Sequence, residues 1–467
     1  MSKITSRVYY KINVILKSPL SVSGGKSSNT DADVLRNGSG EVFIPGTSLA
    51  GAFRNYIGAG KDIDCVLGFA DEKKGKMSSI YISDLYFAEP NPVVSVRDGI
   101  KLTEEKQIEK NLKYDREIIE TGATGTFTME LVIRETAAAK STKEMEEKKT
   151  EKAKETEKKK REEDWIKEFL LHIQDGEIRF GANKNRGLGR LQIKEIGRME
   201  FTKENCQNWI DFLSKPTGFE MTGYEKWVNT LNESEAKIDQ LSYQYIKFQI
   251  PLKLTGGISI RRYSAQPDKA DFEHITCNGE PIIPGTSWNG AIRAAMRDIL
   301  KELNCTNIEQ LFECWFGSIE DGRKAQSQIV IGESILKGSI KLPVTRNQVN
   351  RLDASAGNLY SEIAWYGGTT ELEIMIRKSE NKSQEDYALA GALLLVIEDI
   401  QDGYVAVGGQ TAVGHGIFEA NGDGLKIIDN ICNDENSCKN RWEDDNWKNG
   451  CRSAFYSVVC TEKGNGV

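Results

Sequence analysis

The phrase Ile44-Pro45-Gly46-Thr47-Ser48-Leu49-Ala50-Gly51-Ala52-Phe53-Arg54 returns about 240 residues later as Ile283-Pro284-Gly285-Thr286-Ser287-Trp288-Asn289-Gly290-Ala291-Ile292-Arg293. A chain that carries one local instruction twice is constrained to fold as two related units. The flanking landmarks recur in the same order. An alternating strand through Tyr9, Lys11, Asn13 and Ile15 leads to Ser23-Gly24-Gly25, and the strand from Tyr245 to Leu254 ends in Thr255-Gly256-Gly257. Leu67-Gly68-Phe69 precedes a strand from Ser79 to Leu85, as Trp315-Phe316-Gly317 precedes one from Gln328 to Ile335. Each half closes with a helix and a glycine loop, Gly181 to Gly189 and Gly408 to Gly416. Two unrelated stretches of common turn chemistry do not reproduce such an order.

At 467 residues the chain exceeds one ordinary core and suits two domains with appendages. No apolar run is long enough to cross a bilayer, and the first residues lack the apolar stretch of a secretory signal. A cytoplasmic protein with no membrane partner is expected. The nine cysteines, odd in number and scattered, read as reduced thiols. Those of the tail, Cys432, Cys438, Cys451 and Cys460, lack the close pairs of a zinc site. A net charge of -7 excludes a uniformly basic nucleic-acid binder and leaves room for a local basic groove.

The element order in each half reads strand, glycine turn, excursion, helix, strands, irregular arm, strand, helix, glycine loop, strand. Two helices on an antiparallel sheet in the order β-α-β-β-α-β make the fold class α+β, with two ferredoxin-like (RRM-like) domains in tandem. Residues 1–200 form the first, 201–241 a helical connector, 242–423 the second and 424–467 a C-terminal extension. Thr47 or Ser48, and Thr286 or Ser287, are expected to cap the repeated helix. From Ala137 to Asp164 interleaved Lys and Glu form a charged insertion with no apolar stripe, a solvated helix or disordered segment, and helical packing is expected to begin at Trp165.

The strand-Gly-Gly turn, the Ile-Pro-Gly-Thr-Ser helix start and the closing glycine loop together resemble the RAMP superfamily, and in particular the backbone subunits of type III CRISPR interference complexes. Two fused copies are similar to the tandem backbone protein of subtype III-D. The resemblance implies that each domain grips a stretch of guide crRNA beside other subunits of the complex. It also implies that a thumb hairpin, in the arms 96–123 and 345–360, wedges between guide and target RNA. The local chemistry agrees. A helix start presents free N–H groups to a phosphate, and glycine loops admit a sugar-phosphate backbone without Cβ clashes. The expected RNA contacts are Gly24, Gly25, Ser48, Arg54, Lys184, Arg186, Gly187 and Gly189 in the first half. In the second they are Ser287, Arg293, Arg346, Arg351, Gly409, Gly414 and His415.

The same resemblance places a loop aspartate required for target cleavage between the glycine turn and the Pro-Gly turn. Asp31 of Asp31-Ala32-Asp33-Val34-Leu35-Arg36 fits that position, with Asp33 as the near alternative; Asp271, then Asp268, fits it in the second half, where no arginine follows. Such a carboxylate serves transesterification by the ribose 2'-OH if it binds Mg²⁺ (or Mn²⁺) or steers a proton, and Asp31 is the expected metal ligand. Two readings stand: a nuclease-competent subunit, and a purely architectural RNA-binding module. A guide-processing endonuclease ranks below both, since neither repeated helix carries the histidine that class commonly places there.

Overall fold

The computed structural model describes residues 3–26, 30–57, 64, 66–70, 75–88, 91–102, 108–134, 146–214, 225–226, 245–263, 270–320, 323–378, 383–422, 424–429 and 440–460. The chain forms two compact units. One comprises Met1–Val96, Arg116–Ala182 and Gly189–Ser242; the other comprises Arg97–Asp115, Asn183–Leu188 and Tyr243–Val467.

In the first half four core strands, Ile4–Leu16, Ile80–Ile82, Thr124–Arg134 and Leu191–Thr202, lie side by side in the order fourth, first, third, second. Every neighbouring pair is antiparallel. The second half repeats this with Tyr245–Leu254, Ile329–Ile331, Thr369–Arg377 and Phe418–Ala420, again antiparallel and in the same order. That is the ferredoxin-like arrangement expected from the element order. The alternation that marked the first strands is a burial pattern. Val8, Tyr10, Ile12, Val14 and Leu16 are buried in one half, and Ile246, Phe248, Ile250, Leu252 and Leu254 in the other.

The repeated helix spans Gly46–Ile57 and Gly285–Glu302. It packs through Leu49, Phe53 and Tyr56 in the first copy and Trp288, Ile292, Met296 and Leu300 in the second, the spacing of one helical face. The expected Thr or Ser caps are corrected. Pro284 is the N-cap of the second copy and has no side-chain cap bond. In the first, the Pro45 carbonyl accepts from the N–H groups of Ser48 (2.8 Å) and Leu49 (3.3 Å), so Pro45 stands at the cap and Thr47 and Ser48 lie inside the helix. Proline fixes φ for the turn, and glycine follows because the helix start is pressed against a strand: a Cβ on Gly46 would lie 2.5 Å from the Ile82 carbonyl oxygen, and one on Gly285 2.5 Å from that of Ile331.

The arms are regular β-hairpins, Val94–Leu102 with Ile108–Ile119 and Ile340–Val349 with Ala356–Tyr366. The second is an exposed ribbon whose far end carries Val349, Leu352 and Leu359 in solvent. The charged insertion continues into a helix at Glu146–Asp175 that meets the first sheet from Lys159 on, ahead of Trp165. There the Tyr10 hydroxyl donates to Glu163 at 3.0 Å, Arg198 binds Glu163 at 2.7 Å, and Lys159 pairs with Glu200. Ion pairs and a phenol replace the missing apolar stripe as the docking chemistry.

The twin of that helix, Ser383–Gln401, is apolar on all sides, with Ala388, Leu389, Leu393, Leu394, Val396, Ile397 and Ile400 buried. Such a helix requires cover on both faces. The sheet supplies one, and a C-terminal helix, Asp445–Cys460, supplies the other through Cys451, Phe455 and Val459. Gly391 allows the crossing, since a Cβ there would meet the Cys451 carbonyl and the Phe455 Cβ. Of the expected connector, the helix Cys206–Ser214 is described; its Phe212 packs on Tyr9 and Phe201.

Candidate nucleic-acid interface

In the first half the excursion folds back on the base of the hairpin. Ala32 forms a parallel bridge with Arg116, and its carbonyl accepts from the Glu117 N–H at 2.9 Å. The Glu117 carboxylate accepts from the Val34 N–H at 3.0 Å and from both terminal nitrogens of Arg36, at 2.8 and 3.3 Å. This fork raises the Arg36 guanidinium above its ordinary value. The arginine that distinguishes the first excursion thus anchors it to the hairpin. Asp33 accepts from the Thr30 hydroxyl inside the turn. Asp31 stands at the exposed tip, where the Lys26 ammonium lies 2.7 Å from its Oδ1.

The second excursion makes the same approach without that anchor. Phe272 and Glu273 pair in parallel with Glu362 and Ile363 of the second hairpin. Leu35 donates to the Val22 carbonyl at 2.8 Å in one half, and Ile275 donates to that of Ile260 at 2.9 Å in the other. Val34 pairs with Ser23, and His274 with Arg261. Each match places Asp271 where Asp31 stands, one residue before the parallel bridge. Asp271 is held to the hairpin by Ser361, whose N–H donates to Oδ2 at 2.8 Å. Asp268, the alternative, lies outside the described residues. Among the described residues no group of three or more His, Cys, Asp or Glu side chains is placed to hold a metal ion.

The glycine loops are short turns of the same build. Lys184–Arg186 and Thr411–Val413 are each one 3-10 turn between left-handed residues, Asn183 and Gly187 in the first and Gln410 and Gly414 in the second. Their surroundings differ. Within the second compact unit Gly187 faces the Glu333 backbone nitrogen, which a Cβ would approach to 2.5 Å, and Asn185 accepts from Arg377 at 3.0 Å. Burial, and then Arg377, lowers the Lys184 pKa. Gly414 has open space around it, with Val413 exposed beside it. Gly25 is equally open, whereas Gly24 and Gly409 lie against Leu35 and the Ser259 carbonyl.

The first helix start and both repeated arginines have internal partners. The Gly46 N–H donates to Asp84 Oδ1 at 2.7 Å. Arg54 donates to Asp64 at 3.1 Å and to the Gly68 carbonyl at 2.8 Å. Arg293 lies over Phe312 and Phe316, 5.1 and 5.4 Å from the ring centroids, and its pKa is lowered by burial and by neighbouring Arg297. The repeated arginine therefore explains the repeated Gly-Phe and Phe-Gly landmark downstream: it ties the helix to that turn in both halves. Arg351 is exposed at the end of the second hairpin.

At that hairpin's base, Glu362 is buried between Arg261 and Arg346, with each Nη2 3.8 Å from one of its oxygens. His415 Nε2 lies 3.3 Å from Arg346 Nη2. Sequence reasoning named His415 and Arg346 but not Glu362, Glu117, Lys26 or Ser361. These partners stand many positions away in the chain or lack a motif, and only strand register brings them in.

A model of the RAMP superfamily matches residues 13–192 and 267–419, together more than half of the chain. Among curated proteins, none matches it. Both matched regions contain the excursion, the Pro-Gly helix, the hairpin and the glycine loop described above, and this chain belongs to the RAMP superfamily.

Proposed function

We propose that this protein is an RNA-binding backbone subunit of a type III CRISPR effector, most like the fused subunit of subtype III-D, that pairs guide crRNA with target RNA and cuts the target. Membership of the RAMP superfamily over two regions supports the CRISPR-associated RNA-binding part. The observation that carries the catalytic part is the matched placement of Asp31 and Asp271, each one residue before a parallel bridge to the base of a hairpin. A hairpin that displaces the target strand would set the distorted phosphodiester beside that carboxylate.

In this reading the ribose 2'-OH attacks the adjacent phosphorus, the 5'-oxygen leaves, and the product ends in a 2',3'-cyclic phosphate. The protein's part is to hold the splayed nucleotide in line and to favour loss of the 2'-OH proton. Mg²⁺, when bound, would neutralise phosphate charge. Asp31 would be its carboxylate ligand, with the remaining ligands coming from water and RNA, and its present partners, Lys26 among them, would have to give way. The assembled complex carrying Asp31→Ala and Asp271→Ala tests this. Each substitution should abolish one cut while leaving crRNA in place, and chelation should silence both; unchanged cleavage sites and rates would place the nuclease elsewhere.

A second reading, an architectural subunit without cleavage, is favoured by one observation: Asp31 and Asp271 already have protein partners, Lys26 and Ser361. Cleavage that persists in the doubly substituted complex would select it.

A further inference from the structure

The two halves differ in charge where the glycine loop meets the hairpin base. In the second half Glu362, 1% exposed, accepts from the Ser259 hydroxyl at 3.3 Å and lies between Arg261 and Arg346. Arg261 also lies over Phe272, 4.7 Å from the ring centroid. His415, 6% exposed, packs edge-on against Tyr366 at 5.8 Å. Arginine can only donate, so His415 Nε2 accepts from Arg346 and the ring proton sits on Nδ1. That Nδ1 is buried and has no hydrogen-bond partner. Strand register and the matched 3-10 turns give the first-half counterparts of Arg261, Glu362 and His415 as Ser23, Arg116 and Leu188.

The arrangement is poorly explained as a stabilising ion-pair network. Neither arginine comes within hydrogen-bond distance of Glu362, and a buried carboxylate is costly unless its partners are close. Both guanidiniums instead keep part of their surface in solvent, 39% of the Arg261 side chain and 28% of Arg346. Two guanidiniums, one carboxylate and a neutral imidazole leave one positive charge. That matches a monoanionic phosphodiester rather than a dianionic terminal phosphate.

We propose that Arg261 and Arg346 form a phosphodiester-binding site peculiar to the second half, in which Glu362 and His415 are positioning residues that hold the two guanidiniums. The inference rests on the RNA-binding reading and adds a site that the first half does not have. Arginine is suited to it because a planar fork, once oriented, meets two phosphate oxygens together.

The test is binding of a 3'-labelled oligouridine of about 12 nucleotides to the full chain, followed by anisotropy across a salt series. Arg261→Ala and Arg346→Ala should each weaken binding about tenfold and lower the salt slope by about 0.7. Arg346→Lys should restore the slope but not the affinity. Glu362→Gln removes a negative charge, so a general field effect would tighten binding; the positioning role instead weakens it about threefold or more. Should that variant melt early, His415→Leu, which installs the first-half residue, reads the same role and should also weaken binding.

Oligonucleotides with and without a 5'-phosphate should bind alike, and millimolar inorganic phosphate should not compete. If the arginines matter only for the 5'-phosphorylated probe, the site takes a terminal phosphate and the assignment is overturned. Parent-like binding by both alanine variants overturns the site and leaves the RNA-binding reading standing. A parent chain that binds no RNA removes both.

Discussion

Asp271 and Ser361 bind each other reciprocally: the Ser361 N–H donates to Asp271 Oδ2 at 2.8 Å, and the Asp271 N–H donates to Ser361 Oγ at 3.4 Å. Asp31 has instead an exposed pairing with Lys26. The two matched carboxylates should therefore differ in what their removal does to the fold. Asp271→Ala is expected to lower stability by about 1–2 kcal/mol, through loss of a charge-assisted bond to the backbone. Asp31→Ala should stay within about 0.5 kcal/mol, as exposed pairs do. Urea unfolding of the two variants checks this, and equal losses would count against the described register.

A second expectation concerns the repeated glycine of the Pro-Gly turn. Gly285→Ala puts a methyl group 2.5 Å from the Ile331 carbonyl oxygen and against that of Arg186, so it should cost about 1–3 kcal/mol. Gly414→Ala meets nothing and suffers only from its positive φ of 85°, at about 1 kcal/mol. Gly187→Val and Gly189→Val resemble the first case, one facing the Glu333 nitrogen and the other the Phe180 carbonyl. Their melting temperatures should fall, so any RNA they lose has to be compared at matched folded fraction.

His274 gives the pH expectation. Buried within the second excursion, it accepts from the Ile260 N–H through Nδ1 at 2.9 Å and bonds the Ile282 carbonyl through Nε2 at 3.0 Å. Burial lowers its pKa to about 4, only partly offset by the bond to Ile282. The unfolded chain, with a histidine near 6.5, then binds a proton that the folded chain refuses, so stability is full above about pH 6.5 and is lost as the pH falls toward 4. The loss amounts to about 3 kcal/mol. His274→Gln should remove this part of the acid sensitivity, seen as a smaller difference between melts at pH 7 and pH 5; an unchanged difference would refute the assignment.

The C-terminal helix should be integral to the second half. Phe455→Ala is expected to cost about 3–5 kcal/mol, as for other fully buried phenyl groups, and removal of residues 440–467 should lead to aggregation through the exposed helix Ser383–Gln401. Cys451 has its thiol pKa raised by burial and by nearby Asp429, so it should resist alkylation while exposed Cys314 reacts. Mass spectrometry after brief labelling distinguishes them.

What was legible in the sequence was what depends on local pattern. The strand from Tyr245 to Leu254 and the helix that follows each Pro-Gly turn are properties of a single stretch of chain, and both appear as read. The capping residue was misread because Thr and Ser favour that position while the adjacent proline already occupies it. Partnerships across the chain were not legible. Arg36 finds Glu117 81 positions away, and Arg261 finds Glu362 across a strand pairing that no motif announces. The docking of Lys159 and Glu163 on the sheet was hidden because charged side chains carry no periodic apolar signal.

The helices Glu146–Asp175 and Ser383–Gln401 occupy the same place in their respective halves, yet one reaches its sheet through salt bridges before an apolar face takes over at Trp165, and the other is oily on every side through its middle turns. Exchanging them would strand charges in a dry core in one case and leave leucines bare in the other. The ancestral copies have ceased to be spare parts for each other. Recombination between the two repeats, which their shared phrases would otherwise invite, is penalised at the level of folding before any question of activity arises.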